Sequence, residues 1–244
     1  MANQAPTPSE DSGLRMEPLG DQALLVILGE GIDPGVNDRV HQLTALIRAS
    51  ALPGISDLIP AYANLAVHYD PAAWAAQGNP YQALRGELAR LWRSAGAAAP
   101  PAPRQVEIPV CYGLEYGPDL AAVAAHCKLS AEEIVARHAA AEYRVYLLGF
   151  APGFPYLGGL DPAIAAPRRE TPRLKVPAGS VGIAGMQTGI YPMESPGGWQ
   201  LIGRTPKPLF QPDQEEPCLL RPGDRLKFVP VDRAAYLAIG EERS

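Results

Sequence analysis

The sequence lacks the features that mark several large classes of protein. No apolar run approaches the roughly 18 residues of a membrane-spanning helix. The three cysteines are odd in number and widely spaced, so they favour structural thiols over a disulfide framework. The four histidines are scattered and, with the cysteines, give no metal-ligand spacing. The phosphate-binding loop, the dinucleotide fingerprint, the zinc-protease motif and the nucleophile elbow are all absent.

Charge is also sparse. Charged residues make up 19% of the 244 residues, and the formal net charge is −5. An acidic chain lacks the basic footprint that phosphate backbones need, which argues against a nucleic-acid partner. Residues 1–13 are polar and acidic and have neither the basic nor the apolar region of a signal peptide. We therefore expect a disordered tail on a cytoplasmic protein that has no membrane partner.

Glycine and proline, in contrast, are plentiful. The chain holds 24 glycines and 27 prolines, and the proline content is about twice the average of roughly 5%. Prolines at this density exclude a long coiled coil, while 47% hydrophobic residues exclude a disordered chain. Eleven of the glycines and eight of the prolines lie between residues 149 and 203. That segment is predicted to consist of short strands, tight turns and loops.

The first half of the chain has the pattern of a small α+β domain, which we place at residues 14–94. Residues 22–28 are predicted to form a strand, and residues 55–69 two extended pieces. Asp33 and Asn79 each precede a proline and an apolar stripe with helical spacing, which predicts two helix starts. We expect both helices on one face of an antiparallel sheet.

The second half is predicted to be mainly β. Residues 95–104, rich in alanine and proline, are assigned as a linker, and residues 105–232 as a barrel or sandwich domain. This domain would open with a strand at 105–110, followed by a helical pair from 119 to 142 and a buried strand at 143–148. A capping box of Ser130 and Glu133 is predicted to start the second helix of the pair. A DNA-reading helix-turn-helix is the alternative for the helical pair, and the acidic charge balance opposes it.

The end of the chain has its own signals. Residues 219–228 are predicted to form a strand, a turn and a second strand, and residues 231–240 a last helix. Residues 233–244 are assigned to a C-terminal tail that takes up most of this helix.

A cationic cluster in the glycine-rich segment predicts a binding site. Arg168, Arg169, Arg173 and Lys175 lie within eight positions, and Arg204 follows. Such a cluster in an acidic chain favours an anionic ligand, either a carboxylate or a phosphate. The alternative is that the arginines are solvated and the glycines serve only tight turns.

Further candidates follow from residue type. Gly179 and Gly182, on either side of Ser180, are predicted to present backbone N–H groups as an anion nest. Gln187 and Ser195 would orient a small ligand, and Glu194 or Asp161 would act as a general base or a metal anchor. His138, Tyr191 and Trp199 are either site residues or core residues.

The candidate catalytic residues are His138, Arg173, Lys175 and Glu194. The candidate substrate- or phosphate-binding residues are Arg168, Gly179, Ser180, Gly182, Gln187, Tyr191, Ser195, Trp199 and Arg204. No metal ligand is assigned.

Several long motifs in one order resemble the family of 5-oxoprolinase B subunits, also described as KipI-like or as allophanate hydrolase subunit 1. They are CYGLEYGPDL (111–120), YRVYLLGFAPGFPYLGGL (143–160), PAGSVGIAG (177–185), QTGIYP (187–192), SPGGWQLIGRTP (195–206) and LLRPGDRLKF (219–228). The resemblance covers residues 14 to about 232. One departure is Met186, where the family pattern has glycine.

The resemblance implies a cyclophilin-like β-barrel after the α+β domain. It also implies a cyclic amide hydrolase that opens 5-oxo-L-proline to L-glutamate with ATP as co-substrate, with Mg²⁺ at a shared site, and together with the A- and C-type subunits of 5-oxoprolinase. The chain alone would be inactive. With no nucleotide motif in the sequence, ATP could bind this chain, the C-type protein or a site between them. The alternatives are a KipI-like inhibitor of a sensor histidine kinase and a subunit related to allophanate hydrolase or urea amidolyase. A prolyl isomerase would rest on the barrel alone.

Overall fold

The computed structural model describes residues 14–95 and 102–241, and the chain divides between Ala102 and Pro103 into two compact units. The predicted N-terminal tail at residues 1–13 lies outside the described residues. So do residues 96–101 of the predicted linker and the final residues 242–244. Each unit is described by itself.

The first unit contains a four-stranded antiparallel sheet and two long helices. The elements are β1 (Arg15–Pro18), β2 (Ala23–Ile27), α1 (Pro34–Ser50), β3 (Ile55–Pro60), β4 (Asn64–Tyr69), a 3₁₀ helix (Pro71–Gln77) and α2 (Pro80–Ala95). The strand order is β1-β2-β4-β3. The helices and the strands β2, β3 and β4 match the prediction from sequence, whereas β1 and the 3₁₀ helix were not predicted.

Local signals in the sequence produce this packing. The Asp33 side chain accepts a hydrogen bond from the Val36 N–H at 2.8 Å and caps α1. One face of α1 then buries Leu43 and its neighbours, and Leu84 and Leu88 of α2 are fully buried in the same core. β1 could not be predicted because its four residues, R-M-E-P, lack an apolar pattern. It is an edge strand that pairs only with β2.

The second unit is built on a closed seven-stranded barrel, which confirms the mainly β prediction. Its elements are β5 (Gln105–Tyr112), α3 (Leu120–Cys127), α4 (Ala131–Ala140), β6 (Tyr143–Leu148), β7 (Pro155–Gly158), a 3₁₀ helix (Pro162–Ile164), β8 (Arg173–Val176), β9 (Ser180–Ala184), β10 (Gln187–Ile190), β11 (Ser195–Gly197), β12 (Gln200–Arg204), β13 (Arg225–Pro230) and α5 (Arg233–Glu241). The barrel order is β10-β7-β6-β13-β5-β12-β9, and β8 pairs with β11 in a separate two-stranded sheet. That the barrel is of the cyclophilin type stays a prediction.

The barrel unit has an extensive apolar core. Val145, Ile183 and Phe228 belong to a core of buried side chains that Ile134 of α4 joins. The capping box predicted at Ser130 is present, since the Ser130 and Glu133 side chains each bond the other's backbone N–H. Helix α4 packs against β13 and so contributes to the core of this unit.

Near the C-terminus, one prediction is corrected and one is confirmed. Residues 219–220 are not a strand, because Leu219 donates its N–H to the Leu209 carbonyl at 2.9 Å and follows a single bridge between Phe210 and Cys218. The predicted tail at 233–244 contains α5, which the helix prediction over 231–240 anticipated. Over residues 14–95 and 102–241, no helix is both long and apolar enough to cross a membrane.

Candidate functional site

The predicted cationic cluster folds into a well-fixed loop next to β8 and β11. We call residues 167–173 the arginine loop. Arg173 pairs with Gly197 between β8 and β11. The Gln200 side-chain amide donates to the Pro167 carbonyl at 3.0 Å, and the Arg169 N–H donates to the Gly198 carbonyl at 2.7 Å. The loop is therefore held at its start, middle and end.

A buried carboxylate that was not predicted from sequence organises this loop. Asp119, which precedes α3, is 5% exposed. Its Oδ1 accepts from Arg173 Nη2 at 2.7 Å and from Arg169 Nη1 at 3.1 Å, while its Oδ2 accepts from the Leu201 N–H at 2.7 Å. In the sequence, Asp119 was marked only by its position within segment 111–120, one of the motifs that resemble the family. Nothing local linked it to arginines 50 and 54 positions later.

The two arginines are only partly covered. The Arg173 side chain keeps 22% of its surface exposed and that of Arg169 keeps 37%. Arg173 Nη1 and Arg169 Nε are buried, and neither meets an acceptor in the part of the chain that the structure describes. Arg168 of the same loop is exposed. The site therefore has more positive charge and more N–H donors than its own acceptors satisfy, and such a site favours an anion.

An aromatic cluster lies beside the β8–β11 pair. Phe154 meets Tyr191 and Trp199 edge-on, with ring centroids 5.5 and 5.6 Å apart. Gly197 has no side chain at the point where the Tyr191 hydroxyl packs, and a Cβ there would overlap it. Burial raises the pKa of Tyr191, while the charges of Arg168 and Arg173 oppose that shift. Both predicted aromatic site residues, Tyr191 and Trp199, are thus nearly buried in packing next to the arginine loop.

Lys175 and Glu194 form an ion pair beside the same small sheet. Their Nζ and Oε1 atoms are 3.2 Å apart, and both side chains are largely exposed. An exposed pair of this kind adds little stability. It does give Lys175 a counter-charge, which leaves the arginines as the cationic part of the site.

The anion nest predicted around Ser180 is not formed. Gly179, at φ +78°, donates its N–H to the Tyr191 carbonyl at 2.7 Å, and Ser180 donates to the Pro177 carbonyl at 3.2 Å. Gly182 pairs with residues of β10 and β12. The N–H groups of Gly179 and Ser180 are therefore already used inside the protein. The Ser180 hydroxyl is buried and has no partner among the described residues.

The remaining predicted polar residues are spread around the sheets. Gln187 begins β10 opposite Ala184, and Ser195 begins β11 with its hydroxyl buried. Between β9 and β10 lie Gly185, at φ +59°, and Met186, which is 52% exposed. Of these two residues only Gly185 has a positive φ, so this turn requires glycine at its first position only. The departure at Met186 is accommodated by an open surface turn.

Asp161 is used within the protein. Its Oδ1 accepts from the Ala163 N–H at 2.9 Å, and its Oδ2 accepts from Arg137 Nη1 at 2.8 Å. These bonds lower the pKa of its carboxyl group. The carboxylate therefore caps the 3₁₀ helix that begins at Pro162, whereas the predicted role was a general base or a metal anchor.

Arg204 lies among a different set of side chains. Its guanidinium carbon is 5.6 Å from the ring centroid of Tyr116, and the arginine also bonds the Tyr236 side chain on α5. Its Nε is buried, and the described chain supplies no acceptor for it. These contacts are with aromatic rings, whereas Arg169 and Arg173 meet Asp119.

His138 is enclosed in the barrel unit. It is completely buried; its Nδ1 is 2.8 Å from the Tyr112 hydroxyl, and its Nε2 is 3.0 Å from the Thr188 hydroxyl. Its ring stacks on Phe228 at 4.4 Å. Burial lowers its pKa from 6.5 to about 3, so the ring is neutral at physiological pH. These contacts correspond to the core interpretation of this histidine.

No metal centre is recognisable in the described ranges, where no group of three or more His, Cys, Asp or Glu side chains is placed to hold an ion.

Comparison with known proteins gives consistent relatives. The model of the family described as "Carboxyltransferase domain, subdomain C and D" matches residues 14–220. The chain is 47% identical over 233 residues to the 5-oxoprolinase B subunit of Bacillus subtilis, a match covering 93% of this chain and 97% of that protein. It is 45% identical to the 5-oxoprolinase B subunit of Escherichia coli O157:H7, with 87% of this chain and 94% of that protein covered.

Solved structures agree with the fold. The crystal structure of TTHA0988 has a TM-score of 0.74 and 42% identity, and the match covers 86% of this chain and 40% of that longer chain. The crystal structure of the K. lactis urea amidolyase has a TM-score of 0.69 at 22% identity, and the match covers 98% of this chain and 16% of that one. The second likeness concerns the fold alone.

Proposed function

The chain belongs to the carboxyltransferase subdomain C and D family and, within it, to the 5-oxoprolinase B subunits, and we propose that it serves as the B subunit of an ATP-dependent 5-oxoprolinase. In this role it acts with the A- and C-type subunits to open 5-oxo-L-proline to L-glutamate. The observation that carries the proposal is the match to a 5-oxoprolinase B subunit over 97% of that protein's length.

The chemistry of the site is compatible with this reaction. A lactam is a poor electrophile, and transfer of a phosphoryl group to its oxygen creates a leaving group, which makes ATP the proposed co-substrate. Such a step needs cations that hold phosphates and the substrate carboxylate, together with a divalent metal. Arg169 and Arg173 supply fixed cations within the region that matches the family.

Reconstitution tests the proposal. The purified chain is combined with candidate A- and C-type subunits, ATP, Mg²⁺ and 5-oxo-L-proline, and glutamate and inorganic phosphate are measured. We expect glutamate only when all three proteins and ATP are present, because the proposed site is completed by its partners. Omitting each component in turn is the control. If no combination produces glutamate, the proposal is wrong.

The kinase-inhibitor and urea amidolyase alternatives stay predictions. The inhibitor alternative is tested by measuring autophosphorylation of a sensor histidine kinase with and without the chain. The urea amidolyase alternative is tested by replacing 5-oxoproline with urea or allophanate and measuring inorganic phosphate.

A further inference from the structure

The ion pairs around Asp119 leave one positive charge without a counterpart. Two guanidinium groups, those of Arg169 and Arg173, share a single carboxylate oxygen. Arginine stays charged at any physiological pH, so the three side chains together carry a net charge of +1. Glu170, the acidic residue of the arginine loop, is exposed, and solvent screens its charge. A half-buried excess charge is costly unless an anion completes it.

A second buried aspartate in the same unit shows what a complete arrangement looks like. Asp224 is 4% exposed and accepts from Arg104 Nε at 3.1 Å, Arg104 Nη2 at 2.6 Å and the Arg221 N–H at 2.8 Å. Arg104 Nη2 also donates to the Leu219 carbonyl. In that pair one arginine side chain balances one carboxylate, so the arrangement needs no further anion.

The Asp119 cluster is different because it retains donors. Arg173 Nη1 and Arg169 Nε are buried without an acceptor among the described residues. An unpaired buried N–H costs free energy, and native proteins rarely leave one without a purpose. Each guanidinium also keeps an exposed part through which a ligand gains access.

We propose that Arg169 and Arg173 form the receptor for the carboxylate of the substrate, and that Asp119 is a positioning residue that holds the two guanidinium groups in place. This inference rests on the proposed function for the identity of the substrate. A carboxylate fits better than a phosphate monoester because it brings the single negative charge that the cluster lacks. The planar N–H donors of arginine can bind it bidentately. The Tyr191 hydroxyl packs against Gly197, which is the strand partner of Arg173.

The test compares two ligands that share the lactam ring. 5-Oxo-L-proline carries the carboxylate, and pyrrolidin-2-one lacks it. In the reconstituted complex, Arg173→Gln and Arg169→Gln should raise the KM for 5-oxoproline by about 10- to 100-fold, the worth of a charged hydrogen bond. The inhibition constant of pyrrolidin-2-one and the KM for ATP should stay unchanged. Arg173→Lys should retain more affinity for 5-oxoproline than Arg173→Gln, because lysine keeps the positive charge but lacks the planar pair of N–H donors that binds a carboxylate bidentately.

Asp119→Asn tests the positioning role. The amide oxygen can still accept from the Leu201 N–H, but the charge that holds the arginines is gone. We expect a smaller rise in the KM for 5-oxoproline and little change in kcat. Arg104→Gln is the matched control, because it also removes the arginine partner of a buried aspartate. It should lower the stability of the chain and leave the KM for 5-oxoproline unchanged.

Several results would overturn the inference. They are an unchanged KM in both glutamine variants, an equal weakening of pyrrolidin-2-one, and a rise in the KM for ATP in place of that for 5-oxoproline. If the wild-type complex makes no glutamate, the proposed function fails separately. Titration calorimetry of the free chain with 5-oxoproline, pyrrolidin-2-one and inorganic phosphate then decides, and binding without preference for the carboxylate rejects the receptor.

Discussion

At the scale of single residues, His138 shows how burial determines what an ionisable side chain can do. The sequence allowed it to be either a catalytic site residue or a core residue. In the structure it bonds Tyr112 and Thr188 and stacks on Phe228 without any exposure. Such an enclosed imidazole resists protonation, since the cation would lose its hydration.

This burial predicts a pH dependence of stability. The pKa is about 3 in the folded chain and about 6.5 when unfolded, so between these values only the unfolded state binds the proton. His138 therefore lowers the free energy of unfolding as pH falls below about 6.5, by up to about 1.4 kcal/mol per pH unit. Above that pH it contributes no slope. Urea unfolding between about pH 7.5 and about pH 4.5 crosses the upper limit of this window and measures the slope below it.

The variant His138→Gln should be less stable than wild type near neutral pH but should lose less stability on acidification. His126→Gln, at an exposed position of α3, is the control and should keep the wild-type slope. Equal slopes in all three proteins would contradict the assignment. If His138→Gln does not fold, NMR of the wild-type imidazole should show no titration of His138 between about pH 7 and about pH 5.

The residues of the site were only partly predictable. The arginines could be recognised because they are close in sequence and unusual in an acidic chain. Asp119 could not, because its partners lie 50 and 54 residues later and meet it only through the fold. The nest at Ser180 was predicted wrongly because a glycine pattern does not reveal which carbonyl each N–H will meet.

At the scale of elements, helix α3 ends at a strained position. Lys128 adopts φ +57°, and the turn is closed by a hydrogen bond from the Leu129 N–H to the Ala124 carbonyl at 3.0 Å. Glycine is the usual residue at such an end because a side chain is disfavoured there. Lys128→Gly should therefore raise the free energy of unfolding by about 0.5 kcal/mol, after the entropy cost of glycine is subtracted.

Lys128→Ala is the matched control. It removes the same charge and the same long side chain but keeps the Cβ that causes the strain, so it should give no gain. Denaturant unfolding of both variants measures the difference. A glycine variant no more stable than the alanine variant would show that the left-handed turn carries no strain.

Elements with local signals were predictable, and those defined by distant pairing were not. The caps at Asp33 and Ser130 and the apolar stripes gave helices α1 and α4 directly. In contrast, the apolar pair at 219–220 was taken for a strand, whereas the Leu219 N–H bonds the Leu209 carbonyl, far from any strand pattern. The sequence also could not show that β13 runs parallel to β5, since that register depends on closure of the barrel.

At the scale of the whole molecule, each unit has its own apolar core. The core of the first unit draws on residues between Leu14 and Trp92, and that of the barrel on residues between Val106 and Phe228. No residue belongs to both cores among those that the structure describes. Separate cores of this size favour separate cooperative transitions, because cooperativity follows shared packing.

Matched substitutions in the two cores test this independence. Leu43 of α1 and Leu226 of β13 are both fully buried leucines, and replacing either by alanine should cost about 2 to 5 kcal/mol. In differential scanning calorimetry of the full chain, we expect two heat-absorption peaks. Leu43→Ala should lower the melting temperature of one peak, and Leu226→Ala that of the other. A single peak that both substitutions shift equally would mean that the units unfold as one, because energy lost in either core would then destabilise the whole chain.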